Sequence, residues 1–270
     1  MISFSNSGLS EEKHSMEAPQ KYKILNRDTC KYLAIFLMFW GHLFAWVMLM
    51  RHPEASSPYS LMPLWMRIVT HFSIFCPPVM FFFIADGWKY TRDRRKYALR
   101  LGLFALITQP FDWLIFQPVY GWRQMNIMFT LLLGLLAIMA WESGLKLWQR
   151  VLLILGCAGA SVLLCSDWML FGVLFILFLH IFRGQPEKRF AAYLILTLLW
   201  QGISFIGAEM DAGFWLDKAL DLAAMLAAYA CMTVFYNGRK GRHPIFAKWF
   251  FYAFYPVHYL IIWTLERVTR

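Results

Sequence analysis

The sequence predicts an all-α membrane protein, a polytopic helical bundle of about nine transmembrane helices, with eight or ten as the alternatives. Three observations carry this prediction. The 270 residues are 60% hydrophobic and 19% aromatic but only 16% charged, whereas soluble domains hold more charge. Apolar runs recur at 31–50, 68–88, 99–117, 126–141, 148–165, 168–182, 190–207, 214–236 and 245–265. Most approach the roughly 20 residues a helix needs to cross a hydrocarbon core. Finally, nine spans sort the basic residues onto two sides. Nineteen Lys and Arg fall in the N-terminal tail and alternate loops, six fall on the opposite side, and Lys31 starts the first span. That asymmetry places the N terminus in the cytoplasm and the C terminus outside.

Each span adds something to this frame. The first is an apolar helix with Lys31 at its start and His42 in its middle. Eleven residues are almost three helical turns, so the two side chains share a face and lie roughly 16 Å apart. A charge at a membrane mouth and an imidazole deeper on the same face suit a long ligand gripped at both ends. A lone histidine in an apolar helix is also often a packed polar residue, yet ionisable groups inside a membrane are costly and point toward function. In the second span His71 is outermost, and Pro77-Pro78 bends the helix and opens a cavity. The following loop, KYTRDRRKYALR at 89–100, is the strongest basic feature. There Lys89, Arg92, Lys96 and Arg100 follow helical spacing as a cationic comb suited to phosphate. The same residues also fit plain topological anchoring.

In the third span Gln109 and Asp112 lie one turn apart around Pro110, a kink candidate. Asp112 fits either a polar site or a structural salt bridge to Arg123. Asn126 opens the fourth span, where an N-cap is the simpler role. Ser166 and Asp167 form a tight outer turn between the fifth and sixth spans. The fourth and sixth runs are short, and so tilted or broken. In the ninth span Tyr255 and His258 are one turn apart. His42, Asp112, Asn126 and His258 therefore reach similar depth in the central and outer half of the bundle.

The global signals are quieter. The net charge of +10 needs no nucleic-acid partner, because the basic loops lie where topology requires them. Cys30, Cys76, Cys157, Cys165 and Cys231 show neither disulfide nor metal spacing and read as buried thiols. Residues 1–23 are polar and read as a cytosolic tail rather than a signal peptide.

Four segments carry a family resemblance: FFFIADGWKYTRDRRKYALRLGLFALITQPFDW (81–113), NIMFTLLLGLLAI (126–138), SDWMLFGVLFILF (166–178) and KWFFYAFYPVHYL (248–260). In this order they resemble the TraX family, which includes the acetylase that modifies the N terminus of conjugative pilin. The first span also resembles the wider transmembrane acyltransferases, whose mark is a basic residue, ten residues, then histidine, here Lys31 and His42. The wider group usually has arginine where Lys31 stands. TraX relatives often have aspartate where this chain has Gly41.

The resemblance implies an acyl-coenzyme A-dependent acyltransferase of the bacterial inner membrane. Acetyl-coenzyme A is the expected donor, no metal is expected, and the acceptor is an unknown amine or hydroxyl on a protein N terminus, a lipid or a glycan. Residues 1–28 would be the cytosolic tail and 29–270 the transmembrane acyltransferase domain. The expected catalytic residues are His42, His258 and Asp112. Lys31, Lys89, Arg92, Arg95, Lys96 and Arg100 would hold coenzyme A. His71, Asn126, Asp167 and Tyr255 would hold the acceptor. Two other classes stay open. A small transporter also carries mid-membrane polar groups but should show internal repeats, and none is visible. A haem protein would use His42 and His258 as axial ligands.

Overall fold

Eight of the nine apolar runs become one helix each, and the second becomes two. The structure is a computed structural model that describes residues 20–52, 58–121 and 124–269. The predicted tail up to residue 19, and Arg123 as a partner for Asp112, lie outside those residues. In chain order the helices are α1 (Arg27–Arg51), α2 (Leu64–Phe72), α3 (Cys76–Tyr90), α4 (Arg94–Tyr120), α5 (Ile127–Trp141), α6 (Leu147–Leu163), α7 (Met169–Ile181), α8 (Pro186–Ile203), α9 (Ala212–Ala230) and α10 (Pro244–Thr269). The second run is split: α2 and α3 form one crossing, tightened into a 3-10 turn at Ser73–Phe75. The described residues hold no β-strand, only isolated bridges at Leu25–Tyr236 and Met125–Ser166.

Local chemistry explains the helix ends. Asn26 caps α1 by accepting from the Asp28 and Thr29 N–H groups, Asp93 caps α4 through Lys96, and Asp211 caps α9 through Phe214. Each cap satisfies N–H groups that a helix cannot satisfy internally. Pro77 and Pro78 sit in the first turn of α3, where a missing N–H costs nothing. Pro110 does not stop α4, which runs through it from Arg94 to Tyr120.

The helices alternate in direction. One end of the bundle, the basic end, gathers the start of α1, the end of α3 and the start of α10. There the Leu25 N–H donates to the Phe235 carbonyl, the Gly241 N–H donates to Asp28, and Arg183 pairs with Asp86 at 2.7 Å. At the far end Arg67 of α2 pairs with Asp217 of α9 at 2.6 Å. The core lies between α3, α5 and α7, around Phe81, Leu135, Ile138, Phe175 and Ile176. Gly172 lets α7 approach α5 closely, since a Cβ there would strike the Thr130 side chain. By contrast α6 exposes Leu152, Leu155 and Leu163, and α8 exposes Ile195 and Leu199, as lipid-facing helices do.

Helix length then shapes the interior. Five crossings of 24 to 27 residues are long and apolar enough to span a membrane. The central helices are shorter: 15 residues in α5, 17 in α6 and 13 in α7. At 1.5 Å per residue α7 covers only about 20 Å of a core of about 30 Å. The turn from α6 to α7 therefore sits inside the bundle and not at its rim. The chain is a multi-pass helical membrane protein.

Candidate active site

Two cavities enter the bundle from opposite ends and share one wall. The basic-end cavity, about 440 Å³, runs from Arg27 and Lys31 down α1 to His42. The far cavity, about 1000 Å³, is bordered by Trp46, Tyr59, His71, Asp217 and Asp221. His42, Ser73, Ile74, Asp167 and Trp168 line both. These five residues are the septum. Three come from α1 and the α2–α3 turn, and two from the recessed α6–α7 turn. The approach of α1 to that first turn is very close: a Cβ on Gly41 would overlap the Ser73 side chain and meet the Thr70 carbonyl at 3.1 Å. An aspartate before His42 has no room here, which explains the glycine in physical terms.

His42 presents an imidazole whose buried Nδ1 has no hydrogen-bond partner. Its ring lies 5.8 Å from His258, 6.2 Å from Phe116 and 6.3 Å from Tyr259, nearly parallel to the last. His258 is fully buried and turns Nδ1 toward the Tyr255 and Phe254 carbonyls. A carbonyl only accepts, so Nδ1 carries the proton and Nε2 is left bare; that Nε2 is also buried without a partner. Asp112 places Oδ2 3.5 Å from Gln109 Nε2, while its Oδ1 has none. Orphaned buried polar atoms are rare in folded proteins and ask for an explanation. The rings of His258 and Tyr259 are 4.0 Å apart, and the Tyr255 and Tyr259 hydroxyls are 3.4 Å apart. Tyr255 lines the basic-end cavity and Tyr259 the far one. One turn of α10 thus backs the septum from both sides.

The basic mouth is cationic. Arg27, Lys31, Arg100, Lys240 and Lys248 line it, against Asp28 and Asp86. Lys31 lies between aromatic faces, 5.0 Å from Phe251 and 5.6 Å from Phe83. Among the described residues no carboxylate is within ion-pair distance of its ammonium. Arg100 donates to the Tyr252 hydroxyl at 3.1 Å.

The comb at 89–100 is rearranged. Lys89 ends α3, Arg92 lies in the break, and Arg95, Lys96 and Arg100 belong to α4, so no single helix face carries them. Of these, only Arg100 lines either of the two cavities. Lys96 is taken by Asp93 at 3.2 Å, and the Lys96 N–H and ammonium hold that exposed carboxylate below its ordinary pKa.

The expected acceptor residues also separate. Asp167 is on the septum. Tyr255 faces the basic-end cavity. His71 lines the far cavity with Nε2 2.7 Å from Asp217 and Nδ1 2.7 Å from Asp221. Asn126 lines neither cavity. It donates to the Ala105 carbonyl and to Gln109, and accepts from the Met128 N–H. Its role is to fix the start of α5 against α4. His258 and Asp112 stand behind the septum rather than on either cavity wall.

Sequence reasoning passed over Arg27, Lys240 and Lys248, which it had spent on topology. It also passed over Tyr259, Trp168, Asp217 and Asp221. Two carboxylates four residues apart on one face of α9, Asp217 and Asp221, were the available signal for the far cavity.

Fold and site together define a multi-pass helical membrane protein with a buried polar centre reachable from both ends. The model of the TraX protein family matches residues 26–266, and the chain belongs to that family. It is 31% identical over 196 residues to a probable fimbrial assembly protein FimC, serogroup H1, of Dichelobacter nodosus, covering 68% of this chain and 77% of that relative. No solved structure matches.

Proposed function

We propose that this protein is a membrane acyltransferase of fimbrial or pilus assembly. It takes an acetyl group from acetyl-coenzyme A at the basic end and passes it to an amine or hydroxyl presented in the far cavity. The observation that carries the reading is the position of His42, on the wall common to both cavities with a free ring nitrogen. The phosphates of coenzyme A rest on Lys31, Arg27, Arg100, Lys240 and Lys248, since cations meeting phosphate make the stronger class of hydrogen bond. The pantetheine arm follows α1 to the septum. The acceptor attacks the thioester carbonyl, the C–S bond breaks, and His42 moves the acceptor's proton to the departing thiolate. His42 can instead take the acyl group first and yield it to the acceptor in a second step.

Orientation follows from the charge. The basic end faces the cytoplasm, where acetyl-coenzyme A is available, and the C terminus lies outside the inner membrane. The relative's name, a fimbrial assembly protein, supports an acceptor that is handled during export. Mass spectrometry of membrane proteins, lipids and glycans with and without the gene tests the reading. A 42 Da acetyl increment, about one acetyl replacing one hydrogen, should appear only with the protein. No acyl difference in any fraction would remove it. A polar path open at both ends also suits a transporter; uptake of a solute by vesicles without acyl-coenzyme A consumption would favour that instead.

A further inference from the structure

The septum has a part that the transfer chemistry does not use. Beyond His42 the wall is completed by Trp168, and the backbone carrying it is unusual. Cys165, Trp168 and Met169 have φ of 46°, 63° and 35°, a left-handed conformation that residues with a Cβ seldom adopt. Such a turn persists only where its surroundings over-determine it. Here the Asp167 N–H donates to the Met125 carbonyl at 3.0 Å, Thr130 donates to the Asp167 carbonyl, and Ser166 reaches the Ser161 carbonyl at 3.2 Å. The indole is fixed as firmly as the backbone. It stacks on Trp200 at 4.4 Å and 10°, and meets the edges of Phe81 at 5.6 Å and Phe175 at 6.1 Å. Trp200 touches neither cavity. It is a brace behind Trp168.

The consequence concerns space. An acyl group whose thioester carbonyl stands at His42 extends toward the other septum residues. Of these, Ser73 is taken up by the close contact with Gly41, and Asp167 is polar. The apolar surfaces left are Ile74 and the larger Trp168, and past Trp168 lies the wider far cavity. We infer that Trp168, braced by Trp200, limits acyl chain length: it leaves room for an acetyl group at His42 and stops a longer chain before it enters the far cavity. The inference rests on the acyl-transfer reading and adds the feature that selects the donor.

The test compares binding of acetyl-, butyryl- and octanoyl-coenzyme A to the purified full-length protein in lipid nanodiscs, by competition against labelled coenzyme A. Wild type should bind acetyl- better than butyryl-coenzyme A, and butyryl- better than octanoyl-coenzyme A. Trp168→Ala should raise the affinity for octanoyl- relative to acetyl-coenzyme A by about tenfold, the scale on which apolar pockets discriminate. Trp200→Ala should move the ratio in the same direction by less. A ratio unchanged in both variants, with acetyl-coenzyme A still bound, overturns the inference and leaves acyl transfer standing. Wild type that binds all three thioesters alike overturns it too. Wild type that binds no coenzyme A thioester defeats the acyl-transfer reading itself. Should Trp168→Ala fail to fold, Trp168→Phe and Trp200→Ala give the same comparison.

Discussion

The two cavities are built by opposite electrostatic means. Around the far cavity the charges are matched. Arg67 pairs with Asp217, Lys218 pairs with Asp221, and His71 sits between both carboxylates. At the basic mouth five cations face two carboxylates; Asp28 holds Arg27 at 2.9 Å and Asp86 holds Arg183, which leaves Lys31, Arg100, Lys240 and Lys248 without a carboxylate among the described residues. Matched buried charges hold helices in place, because removing one partner strands the other. Unmatched cations in a cavity wall have desolvation costs that an anionic ligand relieves. One cavity is therefore framed by its own salt bridges, and the other is poised for an anion supplied from outside.

That contrast can be broken at several points. The largest effect is expected at the septum. His42→Ala should lower transfer by about 10²–10⁴-fold, the usual scale for a missing general base, and leave acetyl-coenzyme A binding intact. A rate near that of wild type would exclude His42 as the base and turn attention to His258. At the basic mouth, Lys31→Met and Lys240→Gln should each weaken coenzyme A binding by about tenfold, equivalent to about 1.4 kcal/mol. Neutralising Arg92 and Lys96, which line neither of the two cavities, should change binding little. Equal losses from both sets, read by titration calorimetry, would restore the loop as the coenzyme A site.

The far cavity should respond in stability rather than in donor affinity. Asp221→Asn strips a partner from both His71 and Lys218. It should cost about 3 kcal/mol of stability, within the range for breaking a buried pair, with the donor affinity preserved. Thermal unfolding and coenzyme A titration of the same sample give both readings, and lost donor binding with unchanged stability would reverse the assignment. A further stability effect should come from Gly41→Ala. Overpacking against Ser73 is expected to cost about 1–3 kcal/mol, seen as a lower melting temperature. A variant as stable as wild type would show that the α1–α2 contact is loose.

How far the sequence could be read follows the same divide. Hydrophobic runs report helices directly, and each of the nine runs is helical. Lys31 and His42 were legible because they share one helix and one face. The break in the second run was legible in part: Pro77-Pro78 pointed to a bend, but the 3-10 turn falls just before them at Ser73–Phe75 and the prolines sit in the first turn of α3. Asp217 and Asp221 were not legible as neighbours of His71. Their pairing spans about 150 residues of chain and is set by the packing of α9 on α2. The basic loop illustrates the remaining difficulty. Its charges have helical spacing, but the break at 91–93 turns them apart, and Asp93 takes Lys96. For Asn126 the N-cap was the simpler reading, and its side chain does cap α5 and makes two further internal hydrogen bonds.

The central claim is that an acetyl group crosses the septum at His42, from the basic end to the far end. Sealed membrane vesicles of both orientations, given radiolabelled acetyl-coenzyme A on the outside, test it most directly. The account predicts that label enters membrane-bound acceptor in inside-out vesicles, does not enter in right-side-out vesicles, and is lost in inside-out vesicles carrying His42→Ala. Equal labelling in both orientations, or labelling that survives His42→Ala, would contradict it.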